Sequence, residues 1–400
     1  MFVVNFSSVQ PEGTAISQPD PIALYIHWPF CLSRCPYCDF NAHVRDIIPQ
    51  QRYRDMIRRE LAWEALRLGR RPLRSIFFGG GTPSLMDPET VAVLLEDARA
   101  SFDVQNDLEV TLEANPTSIE VSRLALLRDA GVNRISIGIQ SLEPGPLAML
   151  GRQHSVEQAI AALEIARNLF PRVSFDLIYA RPNQSLDAWR SELRRALNLV
   201  ADHLSLYQLT IEPGTKFEAL HRRGDIVLPE DDLAAALYEA TEEEAARFGL
   251  LPYEISNYAK PGAESRHNLQ YWRYGDYAGI GPGAHGRLNL NGGLTATRRH
   301  RLPESWADRV ERFGHGTTEE LALDPEAVGR EMLLMGLRLA EGVAADRFLA
   351  RTGREMETAI DAAALRRASE EGYVAWHDGR LIATREGRRR LDALLPYLLR

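Results

Sequence analysis

Six short apolar runs alternate with five amphipathic segments between residues 23 and 210, and this alternation constrains the fold more than any other feature. The apolar runs predict β-strands at 23–28, 75–78, 108–113, 134–138, 174–179 and 203–210. The segments between them have the helical period and predict helices at 51–68, 88–100, 118–130, 155–168 and 185–199. Repeated β-then-α units require a parallel sheet. The sequence therefore predicts an α/β fold whose sheet closes or nearly closes into a barrel.

The remainder of the chain predicts a second, smaller unit. A further amphipathic helix is expected at 229–248, and the Gly-, Tyr- and Asn-rich stretch 256–293 is expected to form loops over the barrel mouth. After residue 300 the pattern turns mainly helical and includes a hairpin, 373–376 and 380–383, about an Asp378-Gly379 turn. We predict a mobile tail at 1–21, the barrel with its extension at 22–300 and a helical domain at 301–400.

Composition limits the function and the surroundings of the protein. A net charge of −8 and a pI near 5.8 argue against nucleic-acid binding as the main function, although short basic runs such as Arg298 to Arg301 occur. No apolar stretch is long enough to span a membrane, and the first 20 residues lack the pattern of a secretory signal. All three cysteines lie in one motif and leave none for disulfides, which predicts a reducing compartment, best matched by the cytoplasm.

The three cysteines follow the first predicted strand with the spacing C-x3-C-x2-C, at Cys31, Cys35 and Cys38. Three thiolates this close in one loop can bind three corners of a [4Fe–4S] cubane and leave the fourth iron free of protein. Zinc is the alternative, but paired zinc cysteines usually come with a distant second pair, and this sequence has none.

This motif, with Tyr37 before its last cysteine, resembles that of the radical S-adenosylmethionine (SAM) superfamily. The run Tyr25 to Cys31, Y-I-H-W-P-F-C, resembles the coproporphyrinogen dehydrogenase branch of that superfamily. The resemblance implies a partial (β/α)6 barrel in which SAM chelates the free iron. It also implies that an electron from the cluster can cleave SAM to methionine and a 5′-deoxyadenosyl radical.

The resemblance also implies which residues contact SAM. These residues lie near predicted strand ends, where parallel α/β barrels gather their reactive groups, and are Tyr25, Gly80, Gly81, Thr82, Glu113, Gln140, Arg152 and Asp176. The glycine backbone would bind the SAM amino group, Glu113 would accept from the ribose hydroxyls, and Arg152 would bind the carboxylate. The alternatives are a tight βα turn for the glycines, a helix N-terminal charge for Glu113 and a surface position for Arg152.

Two features distinguish between branches of the superfamily. Coproporphyrinogen dehydrogenases carry a fourth cysteine where this chain has Phe40, and they have a longer N-terminal segment. This chain instead has H-N-x-x-Y-W, with His267, Tyr271 and Trp272, which resembles the HemW-type haem chaperones. An imidazole can ligate haem iron while Tyr and Trp pack on the porphyrin, so these three residues are candidate haem contacts.

Other roles for the histidines stay open at this point. His267 has an equal alternative, in which it hydrogen-bonds its loop to the barrel. His285, beside glycines, is a second candidate haem contact. His27, His43 and His154 are expected to shape the surroundings of the cluster and SAM.

The sequence therefore predicts a haem chaperone that carries a [4Fe–4S] cluster and SAM and delivers haem, as cargo, to an apo-haemoprotein. The alternative is an oxygen-independent coproporphyrinogen III dehydrogenase, and a third hypothesis is a radical SAM enzyme with another substrate. Candidate partners are haem, the acceptor, an electron donor if SAM is cleaved, a second copy of the chain and a peripheral membrane surface.

Overall fold

The computed structural model describes residues 20–290 and 292–399, without the side chains of Ser118 and Ile119. Six parallel strands form the centre of one large sheet. They pair in chain order and are β1 Ile22–Trp28, β2 Pro72–Gly80, β3 Asp103–Ala114, β4 Arg134–Gln140, β5 Arg172–Tyr179 and β6 His203–Gln208. The six predicted strands are thus confirmed, and with them the α/β class.

Further strands extend the sheet on both sides. Tyr277–Ile280 pairs in parallel with β1, and three antiparallel strands follow it outward: His285–Leu290, Gly293–Arg299 and Thr317–Ala322. Beyond β6 lie Asn257–Ala259 and Leu251–Pro252, both antiparallel. Within the described residues the two outermost strands, Thr317–Ala322 and Leu251–Pro252, do not pair with each other. The sheet is therefore mostly parallel and open, which agrees with a partial barrel.

Helices connect the strands and pack on the sheet. Their bounds are Gln50–Leu68, Pro88–Ser101, Ser118–Val121, Leu124–Asp129, Pro144–Met149, Val156–Leu169, Leu186–Leu199, Lys216–Arg222, Asp231–Arg247, Arg266–Trp272 and Pro303–Phe313. Ser155 and Ser185 begin their helices by accepting backbone N–H bonds, and Ser155 forms a capping box with Gln158. The single helix predicted at 118–130 is divided into two short ones.

The prediction of loops over the barrel mouth at 256–293 is wrong. This stretch contains the strands Asn257–Ala259, Tyr277–Ile280 and His285–Leu290 and the helix Arg266–Trp272. The helix packs beside β2 and contacts Ser75 of that strand through His267. Its sequence is too short and too mixed in polarity to show a helical period.

The C-terminal unit has its own core. Its helices and strands are Pro325–Gly336, Val343–Ala344, Ala345–Thr352, Ala362–Glu370, Val374–His377, Arg380–Ala383, Arg385–Arg388 and Leu391–Leu398. The predicted hairpin is present, with Asp378 and Gly379 at positive φ as its tight turn requires. The boundary predicted at residue 300 moves to the stretch after Ala322, because Pro303–Phe313 packs in the barrel core and Thr317–Ala322 extends the large sheet.

The tail predicted at 1–21 lies outside the described residues except for its last two. The carbonyl of Asp20 accepts hydrogen bonds from the Arg71 guanidinium at 3.0 and 2.6 Å. In the described part of the chain, no helix has the length and apolar character that crossing a membrane requires.

A buried carboxylate joins the barrel to its extension. Glu60 accepts from the backbone N–H of Gly281 at 2.8 Å and of Gly316 at 2.6 Å, and from the indole N–H of Trp306 at 3.0 Å. The Arg299 guanidinium lies 3.3 Å from the same carboxylate. One side chain of the helix Gln50–Leu68 thus connects three separate segments that follow residue 280.

Arg299 neutralises this site. Its side chain is fully buried, contacts Glu64 and Thr317, and donates to the carbonyl of Gly279 at 3.1 Å. Glu60 and Glu64 are also fully buried. A buried carboxylate without a cation is strongly destabilising, so the fold depends on this arginine.

We predict that Arg299→Met destabilises the protein by about 3–5 kcal/mol, because two buried carboxylates lose their cation. The matched control is Arg298→Met on the same strand, whose exposed pair with Glu319 at 3.4 Å should contribute only about 0.2–1 kcal/mol. Urea unfolding of both variants measures the difference. Equal unfolding midpoints would contradict the role given to the buried network.

Candidate functional site

The carboxyl ends of the parallel strands surround one cavity of about 430 Å³. Ten of the residues predicted to bind the cluster or SAM line it: Cys31, Cys35, Cys38, Gly80, Gly81, Thr82, Glu113, Gln140, Arg152 and Asp176. Nine of them come from the loop after β1 and from β2 to β5 with the turns that follow, as expected for a parallel α/β barrel, and Arg152 follows the helix Pro144–Met149. Their individual roles remain predictions, but the structure brings them together.

Backbone pairing and two polar side chains hold the cysteine loop. Phe30–Cys31 pairs in parallel with His43–Val44, which closes the loop between them. The Thr82 hydroxyl donates to the Cys31 sulfur at 3.3 Å, and the Arg152 guanidinium donates to the Cys35 sulfur at 3.4 Å. The Thr82 hydrogen bond acts to lower the pKa of Cys31, against the larger effect of burial.

The glycine turn after β2 fits closely against the end of β1. The Gly81 N–H donates to the Trp28 carbonyl at 2.6 Å, and a Cβ added to Gly81 would lie 2.6 Å from the Phe30 carbonyl oxygen. Gly80 has φ +113°, and an added Cβ would clash with the His27 ring. Glycine is therefore required here for backbone packing and conformation, whether or not a ligand binds.

Arg152 joins the cluster loop to two other strand ends. Its guanidinium donates to the Asn115 side-chain oxygen at 2.5 Å and to the Gly138 carbonyl at 2.7 Å, besides the Cys35 sulfur. Its Nε is buried without a hydrogen-bond partner among the described residues. These contacts do not match the surface position considered for Arg152, and they leave one donor free beside the cavity.

Two carboxyl groups lie side by side at the cavity wall. Burial, followed by the charge of Asp176, raises the pKa of Glu113 to about 8. Burial likewise raises the pKa of Asp176 to about 6, against hydrogen bonds from Ser205 and Ser136 that favour its charged form. The Gly80 N–H donates to Glu113 at 3.3 Å. Without a ligand, Glu113 is therefore largely protonated at neutral pH.

Tyr25 lines a different cavity, which has a volume of about 500 Å³. This second cavity shares Gly80, Glu113 and Phe40 with the first, so the two lie side by side. The Tyr25 hydroxyl is 3.1 Å from Nδ1 of His27.

His267 is buried and lines neither cavity, although its ring contacts Tyr271, which lines the second. Its Nδ1 lies 2.9 Å from the Ser75 hydroxyl, its Nε2 lies 3.1 Å from the Tyr271 hydroxyl, and its ring stacks on Phe77. The side chain is 2% exposed, and burial lowers its pKa to about 3. With both nitrogens engaged, this conformation matches the structural alternative for His267 and offers no nitrogen to haem iron.

The two aromatic residues of the H-N-x-x-Y-W motif, Tyr271 and Trp272, lie in different cavities. Tyr271 lines the second cavity beside Tyr277, with ring centroids 4.2 Å apart. Trp272 lies under the Arg338 guanidinium, 4.7 Å from its ring centroid, in a separate cavity against the C-terminal unit. The motif therefore does not form one haem surface in this structure.

Several further residues that line or support the first cavity were not predicted from the sequence. Asn115 bridges Thr82 and Arg152, and Glu120 beneath it accepts from the Asn115 N–H at 2.7 Å. Tyr207 and the stretch that follows it also line the cavity. The available signal was their position along the chain, because Asn115 directly follows β3 and Tyr207 lies near the carboxyl end of β6, where parallel α/β barrels gather their reactive groups.

The arrangement of the three cysteine thiols can be tested against two kinds of metal group, a single metal ion and a [4Fe–4S] cubane. No cluster of three or more His, Cys, Asp or Glu side chains in residues 20–290 and 292–399 is arranged to bind a single metal ion. A cubane does not require the side chains to converge on one atom, because each thiolate binds a separate iron at its own corner. Burial raises the pKa of Cys31 to about 11 and also raises that of Cys38, so metal binding must displace their protons.

Comparison with known proteins agrees with this geometry. The radical SAM superfamily model matches residues 25–196, and the HemN C-terminal domain model matches residues 323–390. Among solved structures, coproporphyrinogen III oxidase (HemN) of Escherichia coli superposes with a TM-score of 0.78 at 22% identity, covering 94% of this chain and 90% of that one. The fold and the site thus define the class, a radical SAM protein, for which a [4Fe–4S] cluster and SAM are the expected cofactors.

Curated relatives define the family more narrowly. Heme chaperone HemW of Mycobacterium tuberculosis is 37% identical over 403 residues, covering 98% of each chain. Heme chaperone HemW of Escherichia coli is 39% identical, covering 83% of this chain and 86% of that one. The mouse mitochondrial radical S-adenosyl methionine domain-containing protein 1 is 46% identical, covering 80% and 74%. The chain belongs to the HemW family.

We predict that Cys38→Ser abolishes assembly of a stable [4Fe–4S] cluster, because one corner of the cubane loses its thiolate. Anaerobic reconstitution followed by iron and acid-labile sulfide analysis measures this; wild type should contain about four of each per chain. Ser33→Ala in the same loop is the matched control and should retain the cluster. Zinc without sulfide in the wild-type protein would contradict the cluster assignment.

We predict that Glu113→Gln changes the pH dependence of stability in the ligand-free protein. Because the pKa of about 8 in the folded protein exceeds the ordinary value of 4.5, the folded chain holds a proton that the unfolded chain releases. Its contribution to stability is complete at low pH and is lost as pH rises through 8. The variant should therefore gain stability relative to wild type between about pH 5 and pH 8. Urea unfolding of both proteins across this pH range measures the difference. If the stability of wild type and variant changed with pH in parallel, the raised pKa of Glu113 would be contradicted.

Proposed function

We propose that this protein binds haem and transfers it to apo-haemoproteins, while its barrel carries a [4Fe–4S] cluster and SAM. The observation that carries the proposal is the alignment with Heme chaperone HemW of Mycobacterium tuberculosis, which extends over 98% of both chains. The HemN structure, at 22% identity, supports the fold and not the activity.

Phe40 supports the same choice. It occupies the position at which the dehydrogenases have a fourth cysteine, its side chain is 56% exposed, and it lines both cavities. An exposed aromatic ring at this point offers a packing surface for a flat apolar ligand, whereas a thiol would offer a nucleophile.

The residues of the first cavity would serve the cluster and SAM. Cys31, Cys35 and Cys38 would bind three irons, leaving the fourth for SAM, which supplies radical chemistry when it is reductively cleaved. Arg152 and Thr82 would hold the loop through their sulfur contacts. Glu113 would accept from the ribose hydroxyls in its ionised form, which a bound ligand with donors favours.

The three cysteines lie in one loop as free thiols without disulfide partners, which suits a reducing compartment, and we propose the cytoplasm. The name of the mouse relative places that protein in mitochondria. Haem transfer to the acceptor haemoprotein would be thermodynamically favourable because the acceptor binds haem more tightly than the chaperone does.

We predict that the reconstituted protein binds one haem per chain and, supplied with coproporphyrinogen III, SAM and a reductant without oxygen, forms no protoporphyrinogen. A haem titration followed in the visible spectrum and product analysis by chromatography measure the two outcomes. Transfer is tested by mixing the haem-loaded protein with apomyoglobin, using haem-loaded albumin as the control. Formation of protoporphyrinogen would favour the dehydrogenase, and failure to bind haem would reject the proposal.

A further inference from the structure

We propose that haem occupies the second cavity, with His285 as the ligand of its iron and Arg298 and Arg301 as the partners of its two carboxylates. This inference rests on the proposed function and assigns its cargo to a site other than the one that the H-N-x-x-Y-W motif suggested.

The size and lining of this cavity suit a flat aromatic ligand. Its volume of about 500 Å³ lies within the range of ligand pockets. The rings that line it are those of Tyr25, Phe40, Tyr271 and Tyr277. Aromatic faces of this kind pack well on a porphyrin, and they account for the place of Tyr271 without requiring His267 to bind iron.

His285 is the imidazole in this cavity with free nitrogens. Its ring is exposed and has no hydrogen-bond partner in the described part of the chain. His27 also lines the cavity, but Tyr25 lies at its Nδ1 and the Asn41 carbonyl at its Nε2, 3.1 and 3.0 Å away. A neutral imidazole with an accessible lone pair is the form that ligates haem iron.

Although His285 is exposed overall, partial desolvation of its ring in the cavity and the cations around it both favour its neutral form. Burial, then Arg298, Arg287 and Arg301, lower its pKa, while Glu319 opposes them weakly. The same guanidinium groups would repel an imidazolium but attract anions. This combination of neutral imidazole and neighbouring cations fits a metalloporphyrin, which presents an iron centre and carboxylates together.

The two arginines are available for carboxylates. Arg301 is exposed and forms no ion pair among residues 20–290 and 292–399, and Arg298 has only the exposed pair with Glu319 at 3.4 Å. Asn41 fixes the backbone beside Arg301 by donating to its carbonyl at 2.8 Å. Because an exposed ion pair contributes little free energy, Arg298 could leave Glu319 and pair with a porphyrin carboxylate at little cost in stability.

The first test separates carboxylate recognition from general haem affinity. The full-length reconstituted protein is titrated with haem and with haem dimethyl ester, which lacks the two anions. In the double variant Arg298→Gln/Arg301→Gln the haem affinity should fall about tenfold or more, because charge-assisted bonds are lost. Its affinity for the ester should match that of wild type. Arg312→Gln, on an exposed helix face, is the matched control and should change neither affinity.

The second test concerns the iron ligand. His285→Ala should lose the absorption and resonance signature of histidine-ligated haem, and added imidazole should restore it. His267→Gln should keep that signature, since this residue does not reach the cavity. Iron and sulfide content and the urea midpoint establish that each variant is folded.

The outcomes are distinguishable from failure of the proposed function. If wild type binds no haem, the proposed function and this inference are both rejected. If wild type binds haem but the His285 and arginine variants bind it with unchanged affinity and spectrum, the inference alone is rejected. Loss of histidine ligation in His267→Gln but not in His285→Ala would also overturn it.

Discussion

Two backbone hydrogen bonds between the first two strand ends hold the whole site in place. The Gly81 N–H reaches the Trp28 carbonyl at 2.6 Å, and the Thr82 N–H reaches the Phe30 carbonyl at 2.8 Å. They fix the glycine turn against the start of the cysteine loop, so the two segments predicted to contact SAM and the cluster move as one. A side chain at position 81 would separate them, which is why this junction tolerates only glycine.

The regular part of the fold could be predicted because its pattern is local. β1 and β4 to β6 differ by only a few residues from their predicted bounds, since buried parallel strands are continuous apolar runs. The first half of β3, Asp103 to Asp107, could not be predicted, because four of its five residues are polar and exposed. The division between the two cores was also hidden, since it depends on where Pro303–Phe313 packs and not on its own composition.

In the candidate site too, the features that could be predicted are short motifs, and those that could not are contacts between residues far apart in the chain. The cysteine spacing and the glycine turn are short motifs and could be recognised directly. The contact of Arg152 with Asn115 joins residues 37 positions apart and depends on the geometry of two neighbouring strands. The H-N-x-x-Y-W motif is a case in which residue types suggested one surface, but a single helical turn directs His267 inward, Tyr271 to a cavity wall and Trp272 to the C-terminal unit.

The partition between the two cavities is thin, since Gly80, Glu113 and Phe40 contribute to both. A molecule that changes the ionisation of Glu113 on one side alters the electric field felt on the other. If SAM and haem occupied the two cavities as proposed, thermodynamic linkage would make the effect mutual: haem would change the affinity for SAM by the same factor by which SAM changes the affinity for haem. The shared wall would then let the radical SAM site respond to the occupant of the neighbouring cavity.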